Sequence, residues 1–297
     1  MKIKENISEL MQRLEFPEDA QKVILSSVDK LLSDSSSYVK FSEIVAQYGK
    51  TVDCDYTKML EETKVLCERH NIHEFTSNMI LLLALGEKLR ERYAERSIDE
   101  DIYYNSMADL RYKLEECRLV RKEVGTFVPG WYKGFFNLTR FALGRLQFEI
   151  VTLREECEVN GVHLPSGTKA INIHIPRTGT RLYHDTVEES YRLAAEFFAD
   201  EFKDQPTVFT CHSWMLYPWN AEALYKGSNM VDFYSDFTII SHGDYDSYNE
   251  VWRLFDCLYE GDPNKLPADS TLRRAYVERM KEGKPLGWGH GVFVYNK

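Results

Sequence analysis

Residues 169 to 198 read "KAINIHIPRTGTRLYHDTVEESYRLAAEFF", and here Asn172 and His174 alternate with Ile171, Ile173 and Ile175 before a turn carrying Arg177, Gly179 and Arg181. Alternation puts Asn172 and His174 on one face of a strand and the isoleucines on the other. A histidine at a strand end titrates near neutral pH and could take a proton from an amine; capping the strand by a hydrogen bond is its structural use. Glu149, in "RLQFEIV", is a carboxylate inside an apolar strand, where burial would raise its pKa toward that of a useful base. At an edge strand the same carboxylate would simply face water. Cys211 and His212 are adjacent, but neighbours in a strand point to opposite faces, so they form no nucleophilic dyad. His212 instead shares a face with Trp214 and could line a cleft.

The turn "IPRTGTRL", Ile175 to Leu182, passes from strand to helix. The first N–H groups of a helix lack intrahelical partners and carry the positive end of its dipole, so such a junction attracts anions. Arg177 and Arg181 add charge, and Gly179 allows close approach or a positive φ. A structural use competes: Asp185 or Thr186 caps the helix, with Glu188 or Glu189 at the capping-box position. "SHGDYDS" at 241 to 247 supplies His242, Asp244 and Asp246, which a surface turn accounts for without a metal. No metal is expected.

The elements that must position these groups fall into two halves. From Met1 to about Val124 apolar residues recur at three and four, as in Ile24, Leu25, Val28, Leu31 and Leu32, predicting a bundle of roughly five or six helices. Pro17 and the cluster Asp99, Glu100 and Asp101 mark helix starts, and "SDSSS" at 33 to 37 reads as a short loop. "GTFVPGWYKGFF" at 125 to 136 breaks the period, its aromatics implying a packed connection. The domains expected are 1–125, all helical, and 135–297. In the second, 145–153, 169–175, 207–216, 237–241 and 291–295 read as strands, and 186–202, 220–235, 248–259 and 269–282 as helices. This is an α/β layer with a mixed sheet, the crossover through 186–202 making its flanking strands parallel.

The net charge of −10 argues against nucleic acid, whose phosphates need a basic footprint. The cysteines Cys54, Cys67, Cys117, Cys157, Cys211 and Cys257 show no ligand spacing and read as free buried thiols of a reducing cytosol. "MKIKENISELMQRLEF" carries charges where a signal peptide needs an apolar stretch, and "MILLLAL" at 79 to 85 is too short to span a bilayer, so a cytoplasmic protein with no membrane partner is expected.

The second half resembles the GNAT superfamily of N-acyltransferases in its element order, with "IPRTGTRL" where that family places its pyrophosphate loop. "GRLQFE", "INIHIP" and "CHSWML", behind a helical first half, resemble more closely a bacterial acyltransferase family with a helical N-terminal domain and a GNAT-like C-terminal domain, over nearly the whole chain. The resemblance implies acyl-coenzyme A, acetyl-coenzyme A among its forms, as co-substrate, with Ile175, Arg177, Thr178, Gly179, Thr180 and Arg181 holding it. It implies that strands 169–175 and 207–216 splay apart, freeing backbone N–H groups near His174 for the thioester carbonyl. "NAEALYKGS" at 220 to 228 is similar to the GNAT helix whose tyrosine protonates the leaving thiolate. Tyr225 matches, although Gly227 follows it by two positions where the pattern has four, and packing is its other use. The sequence departs from the GNAT loop by having a single glycine, with five residues between it and Asp185. Glu149, His174, His212 and Tyr225 are the candidate catalytic residues. The acceptor is a small-molecule or peptide amine; the rival reading is a catalytically silent acyl-coenzyme A binding or sensing module.

Overall fold

The computed structural model of the chain describes residues 2–48 and 55–296; Cys54 lies outside them. Two compact units divide between Phe141 and Ala142. In the first, α1 (Lys2–Arg13), α2 (Glu18–Ser33), α3 (Ser35–Gln47), α4 (Tyr56–Glu68), α5 (Glu74–Glu95), α6 (Glu100–Met107) and α7 (Asp109–Arg121) are seven helices among the described residues up to Val124, where roughly five or six were expected. The serine run is no loop. Asp34 caps α3 by accepting from the Ser37 N–H, so Ser35 to Ser37 form the first turn. Met79 to Leu85 of α5 are buried on all sides, as a helix apolar all round must be. The connection after α7 is packed as expected: the Thr126 N–H donates to Phe75 O at 3.0 Å, and a Cβ at Gly125 would collide with the Phe75 backbone. Tyr132 and Phe135, at the start of α8 (Lys133–Phe136), are fully buried. No strand forms among the described residues of 1–120.

The division falls within β1 (Arg140–Leu143), and the second unit is built on the end of that strand with β2 (Leu146–Thr152), β3 (Cys157–Val159), β4 (Val162–Leu164), β5 (Lys169–His174), β6 (Val208–Ser213), β7 (Thr238–Asp244) and β8 (Gly287–Val294). Six strands form one sheet in the order β1-β2-β5-β6-β8-β7, while β3 and β4 make a separate hairpin. β5 and β6 are parallel and their other neighbours antiparallel, the mixed sheet expected of the crossover. That crossover is α9 (His184–Phe197), whose Tyr191 packs on Phe209 and Phe293 at 5.3 and 4.9 Å between ring centroids. α9 starts earlier than expected: Tyr183 stands at its N-cap without a side-chain hydrogen bond, and Asp185 only accepts from the adjacent Thr186 N–H. The helix expected over 220–235 is two, α10 (Pro218–Ala223) and α11 (Asn229–Ser235), interrupted at Gly227 with φ +91°. α12 (Trp252–Phe255) and α13 (Thr271–Lys281) complete the unit.

Candidate active site

Register assembles the polar residues. Glu149 of β2 lies opposite Asn172 of β5, Asn172 pairs with Thr210 of β6, and His212 of β6 lies opposite His290 of β8. Side chains two apart on a strand share a face, so Glu149, Asn172, His174, Thr210, His212 and His290 occupy one face across four strands. Phe148, Ile171, Ile173, Phe209 and Phe293 fill the opposite, buried face. The β5–β6 ladder pairs only Ile171 with Phe209 and Asn172 with Thr210, although β5 continues to His174 and β6 to Ser213. Beyond Asn172 the two strands part company in the sheet. The pairing of the parallel strands therefore ends beside the polar row.

On the β5 bank His174 Nε2 lies 2.6 Å from Glu149 Oε1, and Asn172 Nδ2 lies 3.3 Å from the same oxygen. With Glu149 ionised and able only to accept, Nε2 is assigned the proton and donates it to Glu149, and Asn172 Nδ2, 3.1 Å from the same nitrogen, donates to Oε1 instead. Nδ1 is then the basic nitrogen. Both side chains are mostly covered, 18% and 19% exposed. The arrangement resembles a base held in one tautomer by a carboxylate that also stabilises the imidazolium formed when Nδ1 takes a proton.

On the β6 bank Thr210, only 3% exposed, lies 2.7 Å from His290 Nε2 and donates its hydroxyl proton to Gly291 O at 3.1 Å. His212 stacks on Trp288 with centroids 4.4 Å apart. Burial lowers the pKa of His212, and burial together with the His212 charge lowers that of His290. Both are therefore neutral near pH 7. Sequence reading missed His290 and Thr210. It began the last strand at Gly291, one residue too late for the parity of "WGHGVFV" to put His290 beside His212. Cys211 faces the core, where burial pushes its thiol up to about 12, leaving it inert. Trp214 has left the strand for a single 3-10 turn, Trp214–Leu216, and so does not share the face of His212 by alternation. The described cysteines are all free, but Cys157 and Cys257 are only half-buried, not buried as expected.

The loop from Ile175 to Arg181 leaves the end of β5. Arg145 holds it by donating Nη1 to Pro176 O at 3.0 Å and Nη2 to Thr180 O at 3.3 Å. The Thr178 and Thr180 hydroxyls are 2.7 Å apart, and Gly179 has φ +80° with open space where a Cβ would stand. Ile175 is half-buried at the loop's root, while Arg181 is exposed. Arg177 forms an ion pair with Asp256 at 2.8 Å. Glycine geometry, two guanidiniums and a helix start within a few residues suit an anion.

Tyr225 stands in the chain between α10 and α11. It is 68% exposed, in the interruption between α10 and α11, because Leu224 turns extended and closes α10; packing is not its role. Asp244 accepts the Tyr217 hydroxyl at 2.6 Å, a structural use. Among the described residues no group of three or more His, Cys, Asp or Glu is placed to hold a metal ion.

Residues 140–293 match the family described as GNAT-like C-terminal domain, and residues 5–138 match the N-acyltransferase N-terminal domain. No curated protein sequence matches the chain. Among solved structures, an acyltransferase in complex with decanoyl-CoA and teicoplanin superposes with TM-score 0.73 at 21% identity, over 97% of this chain and 87% of the other. An acyltransferase mutant in complex with octanoyl-CoA gives TM-score 0.75 at 22% identity, over 98% and 88%. These likenesses concern the fold.

Proposed function

The chain belongs to the family with the GNAT-like C-terminal domain and is an acyltransferase, and we propose that it moves an acyl group from acyl-coenzyme A to an amine. The observation that carries this reading is the Glu149–His174 pair standing where the β5–β6 ladder stops. Relatives of the same fold in complex with decanoyl-CoA and octanoyl-CoA support the choice of donor, and the N-acyltransferase description of residues 5–138 supports an amine acceptor. Residues 1–125 and 135–297 are taken as the two working domains.

In the proposed reaction the thioester carbonyl lies beside β5 where its pairing with β6 ends, and its coenzyme A phosphates meet the 175–181 loop. The amine nitrogen attacks the carbonyl carbon as His174 Nδ1 removes its proton, with Glu149 stabilising the imidazolium. A C–N bond forms, the C–S bond breaks, and the departing thiolate is protonated by the His174 imidazolium or by solvent, while neutral His212 lines the β6 bank. Backbone N–H groups near His174 are the proposed donors to the developing oxyanion.

The test has two readouts. Acyl-coenzyme A at a hundred times its dissociation constant should stabilise the protein by about 2.7 kcal/mol in a melting scan, and free thiol should appear when an amine is added. Stabilisation with no thiol release from any amine in a broad panel would leave binding without transfer and overturn the mechanism.

A further inference from the structure

One carboxylate serves two arginines. Asp256, the residue after α12, lies with Oδ1 2.8 Å from Arg177 Nη2 and Oδ2 2.7 Å from Arg273 Nη2. The two guanidiniums are occupied differently. Arg273 also donates Nε to Leu254 O at 2.9 Å and Nη1 to Asp269 Oδ2 at 3.0 Å, so its donors are engaged on all sides and its side chain is 18% exposed. Arg177 has the single ion pair to Asp256 among the described residues, and its side chain stays 33% exposed.

This asymmetry gives the row a direction. Arg273 is fixed by three acceptors and in turn fixes Asp256, whose own backbone sits at φ +59°, a conformation that aspartate tolerates better than most residues. Asp256 is therefore a rigid post for Arg177. Pro176 O, on the residue before Arg177, is held by Arg145, so the backbone beneath the guanidinium is restrained as well. Arg273 is shared between Asp256 and Asp269, so the two arginines are balanced by two carboxylates, and the unengaged donors belong to Arg177.

We infer that Asp256 is a positioning residue for coenzyme A: it sets the Arg177 guanidinium in place before the phosphates arrive. The inference rests on the reading of the 175–181 loop as the phosphate site. It differs from a latch, in which Arg177 would have to leave Asp256 before binding, and the two predict opposite signs. Fixing a long side chain in advance is worth roughly two- to tenfold in affinity.

The experiment compares the parent, Asp256→Gly, Arg177→Gln and the double variant. Glycine keeps the positive φ while deleting the carboxylate. KM is measured with an acyl-coenzyme A and with the same acyl group on pantetheine, which has no phosphate; coenzyme A affinity is measured by calorimetry. Asp256→Gly should raise KM for acyl-coenzyme A and weaken coenzyme A roughly two- to tenfold, with kcat within about twofold. The pantetheine thioester should be handled as by the parent, and the double variant should be no worse than Arg177→Gln. Unchanged or tighter coenzyme A binding, an equal loss with pantetheine, or additive losses would overturn the inference. Should Asp256→Gly melt early, Asp256→Asn, which also tolerates a positive φ, carries the same comparison. If Arg177→Gln binds coenzyme A like the parent while the parent releases thiol, the positioning inference fails and the transferase reading stands. If the parent turns over no thioester, that reading fails and the calorimetric comparison still decides the role of Asp256.

Discussion

One face of the sheet is two different materials. At the end of the strands near Lys169, the side chains of Val151, Ala170, Val208 and Val294 meet Val159 and Leu164 of the β3–β4 hairpin in a dry cluster. Two residues further along β2, β5 and β6, and four along β8, the same face carries Glu149, Asn172, Thr210 and His290, and then His174 and His212. The strands and their alternation do not change between the two ends. What changes is the cover. Where the hairpin lies over the sheet an unpaired polar side chain would be stranded without water; beyond its reach the face must satisfy polar groups through one another, as Glu149 and His174 do. Core and chemistry are thus separated by a single step of the strand period.

The comparison breaks most visibly if chemistry is moved to the wrong end. Val208 is fully buried, and Val208→Asp should leave a carboxylate with no partner in the hairpin cluster. Burying an unpaired charge exhausts most of the roughly 5–15 kcal/mol by which a domain is stable, so the variant should give no cooperative melt by circular dichroism. A melt within a few degrees of the parent's would show that the hairpin does not seal that end. Next in size, His174→Gln keeps a hydrogen-bonding side chain for Glu149 but loses the basic Nδ1. Turnover should fall roughly a hundred- to ten-thousandfold, with acyl-coenzyme A affinity and melting temperature close to the parent's. Parent-like turnover would remove His174 from the chemistry.

How much of this face could be read in advance differs between its ends. The alternation of Asn172 and His174 against three isoleucines was sufficient to place them opposite the core, because a strand has only two faces. Nothing local in "RLQFEIV" says that Glu149 sits diagonal to His174; that depends on the β2–β5 register, a non-local pairing. The hairpin was missed although Asn160-Gly161, with φ of 51° and 79°, is the strongest short signal for a two-residue turn; its three-residue strands are too short to show a period. Over 220–235 a helical period continues in the sequence, but the helix closes at an extended Leu224 and Gly227 takes a positive φ before the next one starts. Asp256 could not have been paired with Arg177 from sequence, since 79 residues separate them in number and only the fold brings them to 2.8 Å.

A smaller effect concerns pH. The folded pKa values of His212 and His290 lie below the ordinary 6.5, through burial first and, for His290, the facing His212 second, with Glu155 acting in the opposite sense. As pH falls through 6.5 the unfolded chain takes up these protons before the folded one. Stability from these two sites is therefore complete above that value and declines below it, toward the folded pKa values. Urea midpoints measured at pH 7.5 and 5.5 should show a larger drop for the parent than for a His212→Gln, His290→Gln double variant. Equal drops would mean that neither imidazole is held neutral by the fold, and the β6 bank would then differ little from an ordinary wet surface.

The smallest effect is expected at Tyr225. A residue that protonates a leaving thiolate has to approach the sulfur, and its hydroxyl gains by being shielded from competing water. Tyr225 is 68% exposed in the interruption after α10, without the helical support that the GNAT pattern gives its tyrosine and with its Ser228–Tyr225 turn bond as the local constraint. Tyr225→Phe removes one solvated hydroxyl, so turnover should stay within about twofold of the parent, measured as thiol release at saturating acyl-coenzyme A. A loss of a hundredfold or more with unchanged binding would place the acid on this exposed turn. The two-bank description, in which the described chemistry is confined to the uncovered end of the sheet face, would then fail.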